Sequence, residues 1–198
     1  MRSEDRFPAA VRCVGGLMGR RAPAALALAA LLAAPRAGSA RDPETTRAEI
    51  VSAARRQLGR TFRGDCSGFV LTLLQRAGVE VALGPGRSRS ESLFRASRPV
   101  KAPRPGDLAF FNGTYDRNGD GRSDDPFTHV ALVEAVDGRA VLLLHRGRRG
   151  IERVRMDLSR PSDRAANDPV RHPRTTDPPA TRVLAGELFA GYGAVLGR

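Results

Sequence analysis

Tryptophan is absent from the 198 residues, and the other aromatic side chains are two tyrosines and eight phenylalanines. So few flat rings argue against a surface that stacks single-stranded bases, and no nucleic-acid partner is expected. Lysine is almost missing: Lys101 stands alone, and arginine supplies the rest of a formal net charge of +12. Two readings of that charge stand side by side, attraction to anionic surfaces or substrates and a solvated basic exterior. Cysteine occurs only at positions 13 and 66. Long apolar runs are scarce. The stretch from Ala24 to Ala34, almost pure Ala and Leu, is too short for the roughly 20 helical residues that span a bilayer.

That stretch has the layout of an export signal. Arg20 and Arg21 form its positive end, and Gly38, Ser39 and Ala40 offer small residues for cleavage. Residues 1–40 are therefore read as a signal peptide, with Met18 as an alternative start and Arg41 as the expected mature N-terminus. No cysteine follows the cleavage point, so no lipid anchor is expected there. The mature chain is expected to be periplasmic or secreted, without stable membrane insertion, and to act as a monomer of one domain, residues 41–198. It would keep a single cysteine, Cys66, and so no internal disulfide. A lone thiol of this kind is either catalytic or a buried, inert side chain.

Within residues 41–198 the pattern predicts helices first and an antiparallel sheet afterwards, an α+β domain. Ile50, Val51, Ala54 and Leu58 mark a helical stripe over 45–58, ended by Gly59. A second helix is expected over 66–77, with Phe69, Leu73 and Leu74 inward, and a short one over 90–96. Strands are expected at 108–111, 129–136, 141–145, 151–156 and 188–195, with Asp137-Gly138 turning the central hairpin. Residues 159–182, rich in Pro, Asp, Arg and Thr, read as a long surface loop.

Cys66 opens the second helix. Free amides and the positive end of the helix dipole favour a thiolate there. Asp65 occupies the capping position, and Ser67 and Gly68 are small enough to leave the sulfur approachable. His129 begins one strand of the central hairpin and His145 closes the other. Paired about the turn, the two imidazoles would share one end of the ribbon, one as a base for Cys66 and the other as its orienting partner. His172, in the Pro-rich segment, is left out of the site.

The run Gly64-Asp65-Cys66-Ser67-Gly68-Phe69-Val70 resembles the nucleophile motif of NlpC-type cell-wall peptidases. Pro105-Gly106-Asp107-Leu108-Ala109-Phe110-Phe111 is similar to the strand those enzymes place between nucleophile and histidine, and Thr128-His129-Val130-Ala131-Leu132-Val133 to their histidine strand. Leu144-His145 falls where their third polar residue is expected. The resemblance covers roughly residues 45–157 and extends to the related CHAP amidases. It implies a papain-like fold and hydrolysis of peptidoglycan amide bonds through an acyl-enzyme on Cys66, without a catalytic cofactor. The backbone amide of Cys66, with Asp65 and Ser67 at the helix start, would help to hold the oxyanion. The family commonly carries a tyrosine just before the nucleophile; here Phe62 lacks the hydroxyl. Arg60 and Arg63 either favour a carboxylate-bearing peptide or are solvated.

Asp116, Asn118, Asp120, Arg122 and Asp124, with Gly121 at the turn, follow the spacing of a calcium loop. The twelfth position is Phe127 rather than an acid, and the same Gly-rich segment can turn without a metal. A structural calcium ion is one expectation, an ordinary polar loop the other. Two further functions stay open beside hydrolysis. One is acyl transfer by the same Cys-His pair. The other is an exported module that binds cell wall or polyanions with a vestigial site.

Overall fold

The computed structural model describes residues 41–197, so the expected signal peptide lies outside the described residues. The Asp42 carboxylate accepts the Thr45 amide at 2.9 Å, and Pro43 follows where no amide donor is needed. Helix α1 therefore runs over Pro43–Arg55, starting and ending earlier than the stripe predicts. Leu58 leaves the helix to bridge Ile151, and Gly59, at φ +72°, donates its amide to the Ile151 carbonyl. Tertiary pairing thus takes over the last helical turn. Helix α2 spans Cys66–Arg76 and α3 spans Arg89–Ala96, the latter capped by Ser88, whose hydroxyl accepts the Glu91 amide.

The strands are β1 Arg98–Val100, β2 Leu108–Phe111, β3 His129–Asp137, β4 Ala140–Arg146, β5 Ile151–Asp157 and, after the short helix α4 Ala185–Leu188, β6 Phe189–Ala194. They form one sheet in the order β1-β6-β2-β3-β4-β5, with every neighbouring pair antiparallel. The pattern predicts neither β1 nor α4. The first is three residues with a proline at the sheet edge. The second is a single turn held by Glu187, whose carboxylate accepts the Val183 and Leu184 amides. The central hairpin closes on Gly138-Arg139, one residue later than expected, since Asp137 pairs with Ala140 and Gly138 takes φ +59°.

The sheet is covered on both faces. Ile50, Val51 and Ala54 of α1 and Phe69, Val70, Leu73 and Leu74 of α2 pack on Leu108, Phe110, Val130, Leu132 and Leu144. On the other face Ala109, Phe111, Ala131, Val133, Leu143 and Met156 lie under Val170, Ala185 and Leu188. Each large side chain buried this way contributes about 1.5–3 kcal/mol. Burial on two faces explains why β2 and the start of β3 read as continuous apolar runs rather than alternating ones.

Residues 159–182 carry no helix or strand and are mostly exposed, yet the segment is anchored to the domain. Ala166, Asn167, Val170 and Arg171 are buried. The Asn167 side chain accepts the Asp157 amide at 2.9 Å and donates to the Arg160 carbonyl at 2.7 Å. A segment without strands still has to satisfy its buried polar groups, and this asparagine does so. Among the described residues no helix is long and apolar enough to cross a membrane.

Candidate active site

Asp65 caps α2 as its position predicts: its Oδ1 accepts the Gly68 amide at 2.6 Å. The earlier amides of the turn, those of Cys66 and Ser67, have no intrahelical acceptor by the geometry of a helix start. The Cys66 side chain is half-buried against the helix-side core, with the Ser67 hydroxyl 4.0 Å from its sulfur.

The sheet on which α2 packs has a gap between β3 and β4. Val133 exchanges backbone hydrogen bonds with Gly106 and Asp107 on the β2 side. By strand alternation the amides of Val130 and Leu132 point the other way, toward β4. Pairing with β4 stops at Leu132–Leu144, so Val130 has no partner in that ladder. Its amide lies close enough to the Cys66 sulfur to favour the thiolate. The thiol lies beside Val130, near where β3 and β4 part, and among the described residues no hydrogen bond joins its sulfur to either imidazole. His129 precedes Val130 on one strand, and His145 follows Leu144 on the other.

The two imidazoles meet: His129 Nε2 lies 2.8 Å from His145 Nδ1, with the ring planes at 84°. Both are buried, at 9% and 3% exposure. Burial pushes the His129 pKa down to about 4, against the nearby Asp65 charge. Burial, followed by the neighbouring His129, pushes His145 down to about 3. Burial also raises the Cys66 thiol, and the Asp65 carboxylate adds to that, while the Val130 amide opposes it. Burial thus opposes the thiolate that the helix start favours. At neutral pH the free site holds a neutral thiol and two neutral imidazoles.

The chain entering β3 is under strain. Phe127 takes φ 50°, a conformation that costs a bulky residue on the order of 1–3 kcal/mol. It is held by three contacts. Its amide donates to Asn112 Oδ1 at 2.8 Å, its carbonyl accepts the Ser88 hydroxyl at 3.1 Å, and its ring stacks on Phe94 at 4.1 Å. Thr128 next to it accepts the Thr114 amide at 2.9 Å. Together these contacts set the height at which His129 enters the sheet.

Two neighbours escape sequence reasoning. Tyr115, 41% exposed, comes from the segment between β2 and β3 and lies within electrostatic range of Cys66 and Asp65. Burial, and then Cys66, push its phenol up. No local motif marks it. His172, set aside above, lies close enough to His145 to help depress that imidazole.

The calcium-type loop is a set of local turns. Asp116 accepts the Gly119 and Gly121 amides at 2.7 and 2.9 Å. Asp120 accepts the Arg122 amide at 2.9 Å and the Asn118 side chain at 3.0 Å. Among the described residues no three His, Cys, Asp or Glu side chains converge as a metal site would require. Arg122 and Asp124 instead line a cavity of about 560 Å³ together with Arg171, Arg182 and Phe189, and neither Cys66 nor either buried histidine reaches it. No protein-family model matches the chain, and no curated protein matches it.

Proposed function

We propose that this chain is an exported cysteine hydrolase with a papain-like arrangement, cutting amide bonds of peptidoglycan through an acyl-enzyme on Cys66. The observation that carries this reading is the hydrogen-bonded pair of buried imidazoles, His129 and His145 at 2.8 Å, where β3 and β4 separate and α2, opened by Cys66, packs on both strands. The order of the resembling motifs along the chain supports the substrate class.

With His129 Nε2 engaged by His145, Nδ1 is left as the base. In the first step the Cys66 S–H proton moves to His129 Nδ1 and the sulfur bonds the substrate carbonyl carbon. The carbonyl oxygen takes the electron pair and is held by the free amides of the first turn of α2. As the tetrahedral centre collapses, the C–N bond breaks and the departing amine takes the proton from His129. A thioester remains. Water then gives a proton to His129 and its oxygen to the carbonyl carbon. The C–S bond breaks, the thiolate regains the proton, and a carboxylic acid leaves.

Because the free site is neutral, the first proton transfer is uphill. Closing of the half-buried site by substrate would strengthen each interaction with the developing charges. The reading is tested by digesting purified peptidoglycan and identifying the fragments by mass. New free amino and carboxyl termini with the wild-type protein and none with Cys66→Ala are expected. Equal digestion by both would overturn it.

A further inference from the structure

In the reading above, His129 receives a proton on Nδ1. A neutral imidazole carries one N–H and one lone pair. If Nδ1 is the lone pair, His129 Nε2 bears the hydrogen and donates it to His145 Nδ1, 2.8 Å away. His145 Nδ1 is then an acceptor, and the hydrogen of that ring must sit on Nε2. This atom belongs to a side chain 3% exposed and has no hydrogen-bond partner. Leaving a buried N–H unpaired is disfavoured, and that pulls the pair toward the opposite tautomers. Those tautomers put a hydrogen on His129 Nδ1 and remove the base. The site therefore needs an acceptor beyond His145.

Glu152 is placed to be that acceptor. It stands directly opposite His145 in the β4–β5 ladder, and such partners project on the same face with Cβ atoms about 4.5–5.5 Å apart. Its carboxylate lies over Gly147, where an added Cβ would come within 2.7 Å of Cδ, so a residue without a side chain leaves the room it occupies. Oε1 accepts the Arg149 amide at 2.8 Å, and Oε2 accepts no hydrogen bond among the described residues. Of the charged groups acting on His145, His129 and His172 oppose a positive ring and Glu152 alone favours one.

We propose that Glu152 is a positioning residue whose carboxylate accepts the His145 Nε2–H and so holds the tautomer that leaves His129 Nδ1 free for the Cys66 proton. The proposal requires a rotation of the Glu152 side chain over Gly147 that brings Oε2 to the orphaned nitrogen. The proposal rests on the assignment of Cys66 and His129 as nucleophile and base, but its primary readout does not.

The test is long-range ¹H–¹⁵N NMR of histidine-labelled protein, which reports the tautomer of each ring. In the wild type, His145 is expected as the Nε2–H form. In Glu152→Leu the two rings should shift toward the opposite tautomers, and kcat should fall on the order of 10-fold or more at unchanged KM. Glu152→Gln, which keeps an acceptor oxygen without the charge, should fall between. If Glu152→Leu does not fold, Glu152→Gln alone decides. A wild-type His145 protonated on Nδ1, or tautomers that ignore both substitutions, would overturn the proposal. Tautomers that respond while Cys66→Ala still hydrolyses would keep the Glu152 contact and sink the nucleophile assignment. A dead Cys66→Ala with unresponsive tautomers would do the reverse.

Discussion

His129 and His145 lie on the same face of the sheet because Glu134 is an extra residue in β3. From the turn outward, Asp137 faces Ala140, Val136 faces Val141 and Ala135 faces Leu142; then Val133, not Glu134, faces Leu143. Without that shift His145 would stand opposite Leu132, and Leu132 and His129 point to opposite faces. With it, Leu144 stands opposite Leu132, so His145 joins the face of Ala131 and His129. The bulged side chain is itself anchored. Glu134, 3% exposed, accepts Arg55 of α1 at 2.8 Å and Arg153 of β5 at 2.5 and 2.7 Å.

Glu134→Ala is expected to destabilise the protein by about 1.5–3 kcal/mol, the range for a hydrogen bond to a charged group, and to lower hydrolysis by loosening the bulge. Denaturant unfolding and turnover check the two effects. Deletion of Glu134 should preserve the imidazole contact, since the ladder is then regular on both sides. Loss of that contact by NMR in the deletion variant would show that the bulge does more than set parity.

Cys66→Ala should abolish hydrolysis with an unchanged circular dichroism spectrum and melting temperature. The side chain is half-buried at the margin of the helix-side core, and alanine keeps its Cβ there. Full turnover in this variant would end the cysteine mechanism.

His129→Ala should lose nearly all activity, while His145→Gln should lose less, because an orienting residue acts through the base. Equal and negligible effects would show that the base lies elsewhere.

The buried histidines also predict a pH dependence. In the unfolded chain they titrate near about 6.5; folded, His129 titrates at about 4 and His145 at about 3. Between these limits the unfolded state binds more protons, so stability rises with pH. The contribution is complete above about 6.5 and is lost as pH falls through about 4 and then about 3. Melting temperature should therefore drop between neutral pH and pH 4 by less in His145→Gln than in the wild type. The acid limb of kcat/KM should lie near His129's depressed value rather than that of a free imidazole. An acid limb at the ordinary histidine pKa would contradict the depth of burial.

The loop from Asp116 to Asp124 should gain melting temperature only at millimolar calcium, the range of weak extracellular sites. Its carboxylates already serve backbone amides and would have to share their remaining lone pairs. Asp120→Ala should remove most of that gain. A calcium titration that leaves the melting curve unmoved, with no heat in calorimetry, would reduce the segment to a self-satisfied turn.

Much of this molecule is local and therefore legible in the chain itself. Asp65 before a helical stripe predicts the cap that places Cys66 at the start of α2. Apolar runs at 108–111 and 129–133 announce buried strands, and a Gly at the hairpin announces its turn. What the chain does not state are the relationships that depend on distant partners. The helix stripe through Leu58 continues in sequence, yet Leu58 leaves it for Ile151. Residues 159–182 are polar and mostly exposed, but the second face of the sheet needs a cover, and Val170 supplies part of it. The two histidines are countable on a hairpin, but a regular count puts them on opposite faces. Only the bulge at Glu134, stabilised by arginines from α1 and β5, brings them together. The dipole of α2 is local and favours a thiolate, whereas the charge state of Cys66 follows from the desolvation that the assembled fold imposes.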